Sequence, residues 1–221
     1  MKQLVVLSFI AFLGSQHVLG QETGFHYGAR FGLGESFFKP TDAGDVDSKL
    51  LFMGGIASEY QFNDFFALTA DFLLASKGAQ LSSFTTDQDF IGNDVNYHYK
   101  DDYDFFYLEI PVLAKGIISF GDFRLKSFVG PSLNFKLLAI ESRQYENDNY
   151  NQDNGYGSRN MDGVDVTEYG IVYGGGVDIA MENGQLVFLD FRISNSLSSF
   201  GSINGEDVKN IYYAISAGYK F

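Results

Sequence analysis

Apolar residues alternate with small or polar residues over most of the chain, which is the period of a β-strand with two different faces. Residues 213–221 show the pattern most clearly, since every second position is apolar and the last is a phenylalanine. The pattern predicts eight antiparallel strands, over residues 24–37, 51–62, 65–77, 103–118, 123–138, 166–181, 186–195 and 210–221. The chain is therefore predicted to be all-β.

The connections between these predicted strands alternate between long and short. Long polar loops are predicted at residues 38–50, 78–102, 139–165 and 196–209, and short turns at 63–64, 119–122 and 182–184. Antiparallel membrane barrels have an even number of strands, with short turns at one end and long loops at the other. The alternation favours an eight-stranded, up-and-down transmembrane β-barrel over a lipocalin-like barrel or a sandwich. Both termini would then lie with the short periplasmic turns, and the four long loops would be extracellular.

The second face of the predicted strands carries charges of both signs. A soluble core would pay a heavy desolvation cost for so many charges, whereas an eight-stranded barrel has an interior that side chains just fill. We expect a structural charge network that fills the lumen, with an ion-conducting lumen as the alternative. Its predicted members are Arg30, Glu59, Asp71, Glu109, Lys115, Lys126, Lys136, Glu168, Asp178, Asp190, Arg192 and Lys220.

Aromatic residues gather where the predicted strands meet the short turns, as expected for the interfacial girdle of a membrane barrel. The predicted girdle comprises Phe25, Tyr27, Tyr60, Phe62, Phe65, Phe66, Phe120, Phe123, Tyr219 and Phe221.

The N-terminus is predicted to be a cleaved export signal. Lys2 precedes an apolar run of about ten residues, which is too short for a membrane-spanning helix of about 20 residues. Val18 and Gly20 supply the small-residue pattern of a signal peptidase site before Gln21. We therefore predict a signal peptide at residues 1–20 and one barrel domain at residues 21–221.

Composition excludes several classes of protein. The formal net charge of −13 disfavours binding to nucleic acid, because no basic patch is available for phosphates. The absence of cysteine excludes both a disulfide scaffold and an acylated lipoprotein thiol. The mean hydropathy of −0.06 is near zero, which is expected for a barrel whose lipid-facing and lumen-facing residues average out.

Catalytic and metal-binding patterns are weak. The histidines are His17, His26 and His98, and only His98 lies near the extracellular rim, in a loop rich in aspartate and serine. We interpret it as a solvated loop residue rather than a general base. Asn149 and Asn151 partly match the first ligand positions of a calcium-binding loop, but the glycine and glutamate that the motif requires are missing. No catalytic residue, metal site or cofactor is predicted, and weak calcium binding by the acidic loops stays open.

Four segments resemble the PorT-like outer-membrane β-barrel family common in the Bacteroidetes. They are residues 107–115 (Tyr-Leu-Glu-Ile-Pro-Val-Leu-Ala-Lys), 129–133, 170–179 and 216–221. The resemblance implies an eight-stranded barrel in the outer membrane. The last strand also resembles the closing strand of bacterial outer-membrane β-barrels, which implies that Tyr219 and Phe221 form an assembly signal read by the barrel assembly machinery. A proline inside a strand, at Pro111, also predicts a bulge.

The expected function is that of a non-enzymatic structural or binding component of the outer membrane. Its expected partners are the membrane lipid, the assembly machinery and an unknown extracellular ligand or secretion component. The alternative is a transport-related role, either as a narrow pore or as an accessory of a protein secretion apparatus.

Overall fold

The computed structural model describes residues 23–39, 45–88, 94–147, 153–161, 165–181, 185–203 and 206–221. The predicted signal peptide therefore lies outside the described residues. None of the described residues belongs to a helix long and apolar enough to cross a bilayer. The strands are β1 (Gly24–Lys39), β2 (Asp45–Gln61), β3 (Phe66–Ala70), β4 (Phe72–Gln88), β5 (Asp94–Phe120), β6 (Phe123–Asn147), β7 (Asp153–Asn160), β8 (Thr167–Ala180), β9 (Leu186–Ser196), β10 (Gly201–Ile203) and β11 (Glu206–Lys220).

These eleven segments occupy eight positions around a closed ring. β3 and β4 share one position, because both pair with β2 and β5. Likewise, β7 and β8 both pair with β6, and β9 and β10 both pair with β11. Each position is antiparallel to its neighbours in sequence, and β11 pairs with β1 to close the ring. The predicted eight-stranded up-and-down barrel is confirmed.

Pro111 accounts for the split between β3 and β4. β5 pairs with both segments in one register, which places Pro111 opposite Asp71. The Asp71 N–H donates to the Pro111 carbonyl at 3.2 Å, but proline has no N–H to return the bond. The bulge predicted at Pro111 is wrong, since the β5–β6 register is unchanged across it and shifts instead between Phe106 and Tyr107.

The outward face of the barrel is apolar from the short turns to about the middle of the long strands. We call the end with the short turns and the C-terminus the turn end. The predicted girdle residues lie there, and Phe25 and Phe120 are 63% and 66% exposed. Further outward apolar side chains above this girdle include Phe31, Leu33, Ile56, Leu74, Leu125, Val129, Leu133, Leu189, Phe191 and Ile215.

At the opposite, projecting end, β4 to β7 continue past this apolar surface as a β-sheet. β5 and β6 are 27 and 25 residues long, whereas about 9–11 residues are enough to cross a bilayer. The loops predicted at 78–102 and 139–165 are therefore wrong, because most of their described residues lie in β4 to β7. Parts of the loops predicted at 38–50 and 196–209 also belong to β1, β2, β10 and β11. One face of this sheet still packs on buried apolar residues of the lumen through side chains such as Leu81 and Tyr103, but the many polar residues gave these segments the composition of loops.

The described short turns have the chemistry that their sequences predict. Asn63 accepts the N–H groups of Phe65 and Phe66 with its Oδ1, each at 2.9 Å, as an Asx turn requires. Gly121 adopts a φ of 63° in the turn between β5 and β6, a conformation that favours glycine. The turn predicted at 182–184 lies outside the described residues.

Candidate functional site

Nine charged side chains form one continuous network inside the barrel, and every one of the eight strand positions contributes at least one of them. Each residue is at most 5% exposed. Five are cations and four are anions, so opposite charges alternate along the chain of contacts. In order of contact, the members are Lys220, Glu59, Lys115, Asp178, Lys126, Asp190, Arg30, Asp71 and Arg192.

The half of the network nearer the turn end is built on two carboxylates that each hold two lysines. Glu59 binds Lys220, the last residue of β11, and lies 2.9 Å from the Nζ of Lys115. Asp178 lies 2.6 Å from the same Lys115 Nζ and also binds Lys126. Three of these contacts join strand positions that lie two apart around the ring, and the Asp178–Lys126 contact joins the paired strands β8 and β6.

The other half of the network uses two arginines. Asp190 lies 2.5 Å from the Lys126 Nζ and 2.6 Å from an Arg30 amino group. Arg30 then reaches Asp71 with its Nε at 3.1 Å. Arg192, which is fully buried, also contacts Asp71, at 3.2 Å.

The ring of Phe188 lies among the cations of this network. Arg30, Lys126 and Lys220 approach its centroid at 4.5, 4.7 and 5.1 Å, distances at which cation–π attraction is effective. Gly218 makes room for the ring, because a Cβ at that position would lie 2.2 Å from the Phe188 Cζ.

Glu109 belongs to a separate, smaller cluster nearer the projecting end. Lys77 binds it at 2.8 Å, and the Tyr212 hydroxyl donates to it at 2.5 Å. The Lys77 ammonium also lies 5.0 Å from the rings of both Tyr107 and Tyr212. Lys77 is absent from the predicted set because the predicted strand ended there. Its spacing of six residues from Asp71 is the signal that places both on the inward face.

Glu168 is held by neutral groups rather than by a cation. The Tyr107 hydroxyl donates to it, as do the Ser196 hydroxyl at 3.0 Å and the Asn210 amide at 3.1 Å. Among the described residues, no lysine or arginine lies within salt-bridge distance of this carboxylate. Tyr107, Ser196 and Asn210 were not expected from sequence, because their residue types are common at many strand positions.

Lys136 lies apart from the other predicted lumen charges. It is only half-buried, and its ammonium donates to the Asp165 backbone carbonyl at 2.6 Å. The rings of Phe105 and Phe200 lie 5.3 and 5.5 Å from it. The structure therefore brings together nine of the twelve predicted residues in one network, with Glu109, Glu168 and Lys136 in separate environments.

An aromatic plug fills the lumen at the projecting end. Phe200, in the irregular segment between β9 and β10, is 1% exposed, and its ring centroid lies 4.9 Å from Phe38 and 4.8 Å from Phe105. The full set of buried plug residues is Phe38, Ala79, Leu81, Tyr103, Phe105, Tyr107, Phe200 and Val208. The charged clusters therefore lie beneath a layer of apolar side chains.

The projecting sheet carries partly exposed ion pairs. Arg143 donates to Asp101 at 2.6 and 2.8 Å, and Arg159 donates to Glu141 at 2.9 and 2.8 Å. The hydrogen bonds to Asp101 hold the pKa of Arg143 above its ordinary value. Burial, with Asp101 and Glu141 nearby, raises the pKa of Tyr103 to about 12.

The C-terminal residues predicted to act in assembly lie at the seam between the first and last strands. Phe221 exchanges two backbone hydrogen bonds with Tyr27, at 2.9 and 3.3 Å. Its ring centroid lies 5.3 Å from that of Tyr27 and 5.1 Å from that of Tyr219. Phe221 is half exposed on the outer surface.

His98 lies on β5 and not in a loop, with its ring 5.0 Å from that of Phe84. The described residues contain no cluster of three or more histidine or acidic side chains arranged to hold a metal ion. Asn149 and Asn151 lie outside the described residues.

Several solved outer-membrane proteins are similar to this chain at low identity. Ail, the attachment invasion locus protein of Yersinia pestis, is 13% identical with a TM-score of 0.36, over 90% of this chain and 99% of Ail. Neisserial surface protein A is 13% identical with a TM-score of 0.44, over 90% of this chain and 98% of its own. OprG of Pseudomonas aeruginosa is 12% identical with a TM-score of 0.43, over 91% and 97%. At these values the likenesses carry no argument about function.

No curated protein matches the chain. The sequence profile of one family, described as an outer membrane protein beta-barrel domain, matches residues 15–201. That match covers most of the chain, and it agrees with the closed ring of strands and their apolar outer surface. The chain belongs to the outer membrane protein beta-barrel domain family.

Proposed function

We propose that this protein is a non-enzymatic binding component of the outer membrane, with a sealed lumen and an acidic, strand-built surface outside the cell. The observation that carries the proposal is the contrast between the two halves of the barrel. The membrane-embedded half is filled by charge pairs and aromatic rings, whereas β4 to β7 project beyond it. A surface of this kind suits recognition of another molecule better than passage through the barrel.

The filled lumen argues against the alternative of a narrow pore. An ion crossing the barrel would have to displace the aromatic plug and then separate pairs such as Lys115–Asp178, whose side chains are at most 2% exposed. Separating a buried pair commonly costs about 3–5 kcal/mol. Several such pairs lie along the path, so we expect no steady conductance.

The projecting sheet supplies the proposed binding surface. In β5, residues 94–104 contain four aspartates and one lysine. Loops and extensions carried by a rigid scaffold are where binding residues concentrate. An acidic surface attracts cationic partners over a range set by ionic strength, so its ligand is expected to be a cation or to carry a basic patch.

The route to the membrane completes the proposal. Residues 1–20 would direct export and be removed, and the C-terminal strand with Tyr219 and Phe221 would be recognised by the barrel assembly machinery. The place of Phe221 beside Tyr27, at the seam where the last strand meets the first, supports this role. The turn end would then face the periplasm.

Single-channel recording in planar bilayers tests the sealed lumen. The purified barrel should insert and give no discrete conductance steps, with a porin preparation as the positive control. Regular steps at constant voltage would contradict the sealed lumen and favour the pore.

Orientation needs a second experiment, which the absence of cysteine makes simple. A Lys100→Cys variant in the projecting sheet should react with a membrane-impermeant maleimide on intact cells, and an Asp122→Cys variant at the turn end should not. The reverse pattern would show that the projecting sheet faces the periplasm.

A role as an accessory of a secretion apparatus is the second candidate, because a surface of strands that projects beyond the barrel also suits contact with a protein partner. The projecting sheet would then contact a secretion component instead of a ligand from outside. Cross-linking in whole cells separates the two, because an accessory should give one defined adduct that is independent of added ligand.

A further inference from the structure

Asn134 is a fully buried amide in the lumen whose side chain has no hydrogen-bond partner. It is 0% exposed, and both its Oδ1 and its Nδ2 lack a partner among the described residues. The strand registers place it directly between two buried carboxylates, Glu109 on β5 and Glu168 on β8. Buried amide groups in native proteins are almost always hydrogen-bonded, to protein or to ordered water.

More unpartnered polar atoms surround the same point. The Ser132 hydroxyl, two residues along the inward face from Asn134, has no partner, and neither does the Asn210 Oδ1. Asn210 is brought to this place by its amide, which donates to both oxygens of Glu168 at 3.1 Å. Four buried polar atoms without a protein partner therefore lie around one carboxylate.

The side chains at this level are also small. Ser132 pairs across the sheet with Gly170 on β8, and Gly170 pairs with Ser196 on β9. A barrel of eight strands is filled only when its inward side chains are large enough to meet. Two serines and a glycine therefore stand in one row of the inward face.

We infer that a cluster of ordered water molecules occupies the lumen between Ser132, Asn134, Glu168 and Asn210. Water is the ligand that fits, because the site offers both donors and acceptors, and each bound water commonly makes about three hydrogen bonds. A metal ion would need several anionic ligands, and no such group exists among the described residues. The four protein atoms that lack partners are satisfied by this cluster.

The cluster is enclosed on both sides. Tyr107, which donates to Glu168, belongs to the aromatic plug above it. On the turn-end side, the buried side chains of Leu113, Phe128 and Val172 pack together. The water molecules are therefore a built-in part of the lumen and exchange slowly with bulk solvent.

Water contacts at Asn134 are measurable by NMR on the full barrel, isotope-labelled and folded in detergent micelles. We expect nuclear Overhauser cross-peaks between water and the side-chain amide protons of Asn134, assigned by their loss in an Asn134→Leu variant. The backbone amides of Leu73 and Ala75, in an apolar part of the lumen, are the dry reference and should show none. An Asn134 amide without cross-peaks would overturn the inference, as would cross-peaks of equal strength at the reference residues.

A second variant tests the location of the cluster. Ser132→Val removes one polar partner and adds volume where the water would lie. It should abolish the water cross-peaks at Asn134 while the barrel keeps its folded mobility on a detergent gel. Cross-peaks that persist unchanged in folded Ser132→Val protein would contradict the placement.

Discussion

Replacing Glu109 by glutamine would remove one charge from the lumen and leave Lys77 without its counter-ion. The two side chains lie 2.8 Å apart, with exposures of 1% for Lys77 and 0% for Glu109. Glutamine has nearly the same size, and its carbonyl oxygen still accepts the Tyr212 hydroxyl that now donates to Glu109 at 2.5 Å. The substitution therefore tests the charge and not the packing.

The expected loss of stability is large because Lys77 has no access to water. Removing one partner of a buried pair costs about 3–5 kcal/mol. Glu141→Gln is the matched control, since Glu141 is paired at 2.8 Å with Arg159, whose side chain is 74% exposed. The Glu141 side chain is itself only 8% exposed, but the charge left unpaired is on Arg159, where water replaces the lost partner, so a cost of about 0–1 kcal/mol, as for exposed pairs, is expected. We therefore expect the free energy of unfolding to fall by about 3–5 kcal/mol in Glu109→Gln and by about 0–1 kcal/mol in Glu141→Gln.

Denaturant titrations of both variants in one detergent measure the difference, with the folded fraction followed by the mobility of unheated samples on a gel. A double variant, Lys77→Met with Glu109→Gln, separates the orphaned charge from other effects. Methionine can keep the contact with the rings of Tyr107 and Tyr212, each 5.0 Å from the Lys77 ammonium. Because replacing a buried pair by apolar groups is often neutral, the double variant should regain most of the lost stability.

Two results would refute this account of the lumen. Equal unfolding midpoints for Glu109→Gln and Glu141→Gln would show that water reaches Lys77. A double variant no more stable than Glu109→Gln would show that the unpaired ammonium is not the cause of the loss.

Three further predictions concern the plug, the close packing of the lumen and the response to high pH. Phe200→Ala should cost about 3–5 kcal/mol by emptying the plug, yet it should not open a conducting path, as bilayer recording would show. Gly218→Val should yield no folded band on a detergent gel, because its Cβ would lie 2.2 Å from the Phe188 ring, whereas Gly116→Ala meets its nearest atom at 3.6 Å and should fold. The pKa of Tyr103 is raised from 10.0 to about 12, so its stabilisation is complete below pH 10 and is lost towards pH 12. Tyr103→Phe should therefore make the fall of the unfolding midpoint over that range shallower, and an unchanged fall would show that Tyr103 does not contribute.

The barrel and its two faces were predictable because alternation is a local property. Inside the membrane one face of each strand meets lipid and the other meets the lumen. The residue type therefore predicts the face, so that apolar Leu125 points outward and charged Lys126 points inward. The same rule fails in the projecting sheet. Residues 94–104 are strand in the structure. Val95, Tyr97 and Tyr99 alternate with polar residues there, but four aspartates and one lysine give the segment the composition of a polar loop.

Two local errors have the same kind of cause. Lys77 has the inward spacing of Asp71 but lies where the predicted strand ended, so its place in the lumen depended on the true length of β4. Pro111 was expected to produce a bulge in its own strand. It instead interrupts the neighbouring strand at Asp71, which lies opposite Pro111. Proline has no N–H to donate, so Asp71 lacks one of the backbone hydrogen bonds of a regular pair.

The sequence by itself determined the secondary structure of the membrane-embedded half, the face that each residue occupies there and the balance of charge inside, since all three follow from the type and parity of each residue. Only the tertiary structure decided which charges meet. Lys220 and Glu59 bind each other across 161 positions of the chain, because closure brings β11 beside β1 and the two inward side chains then meet in front of β1. The pairing of these charges depends on strand register and barrel closure. Both are properties of the whole sheet, so they cannot be predicted from any single segment of the sequence.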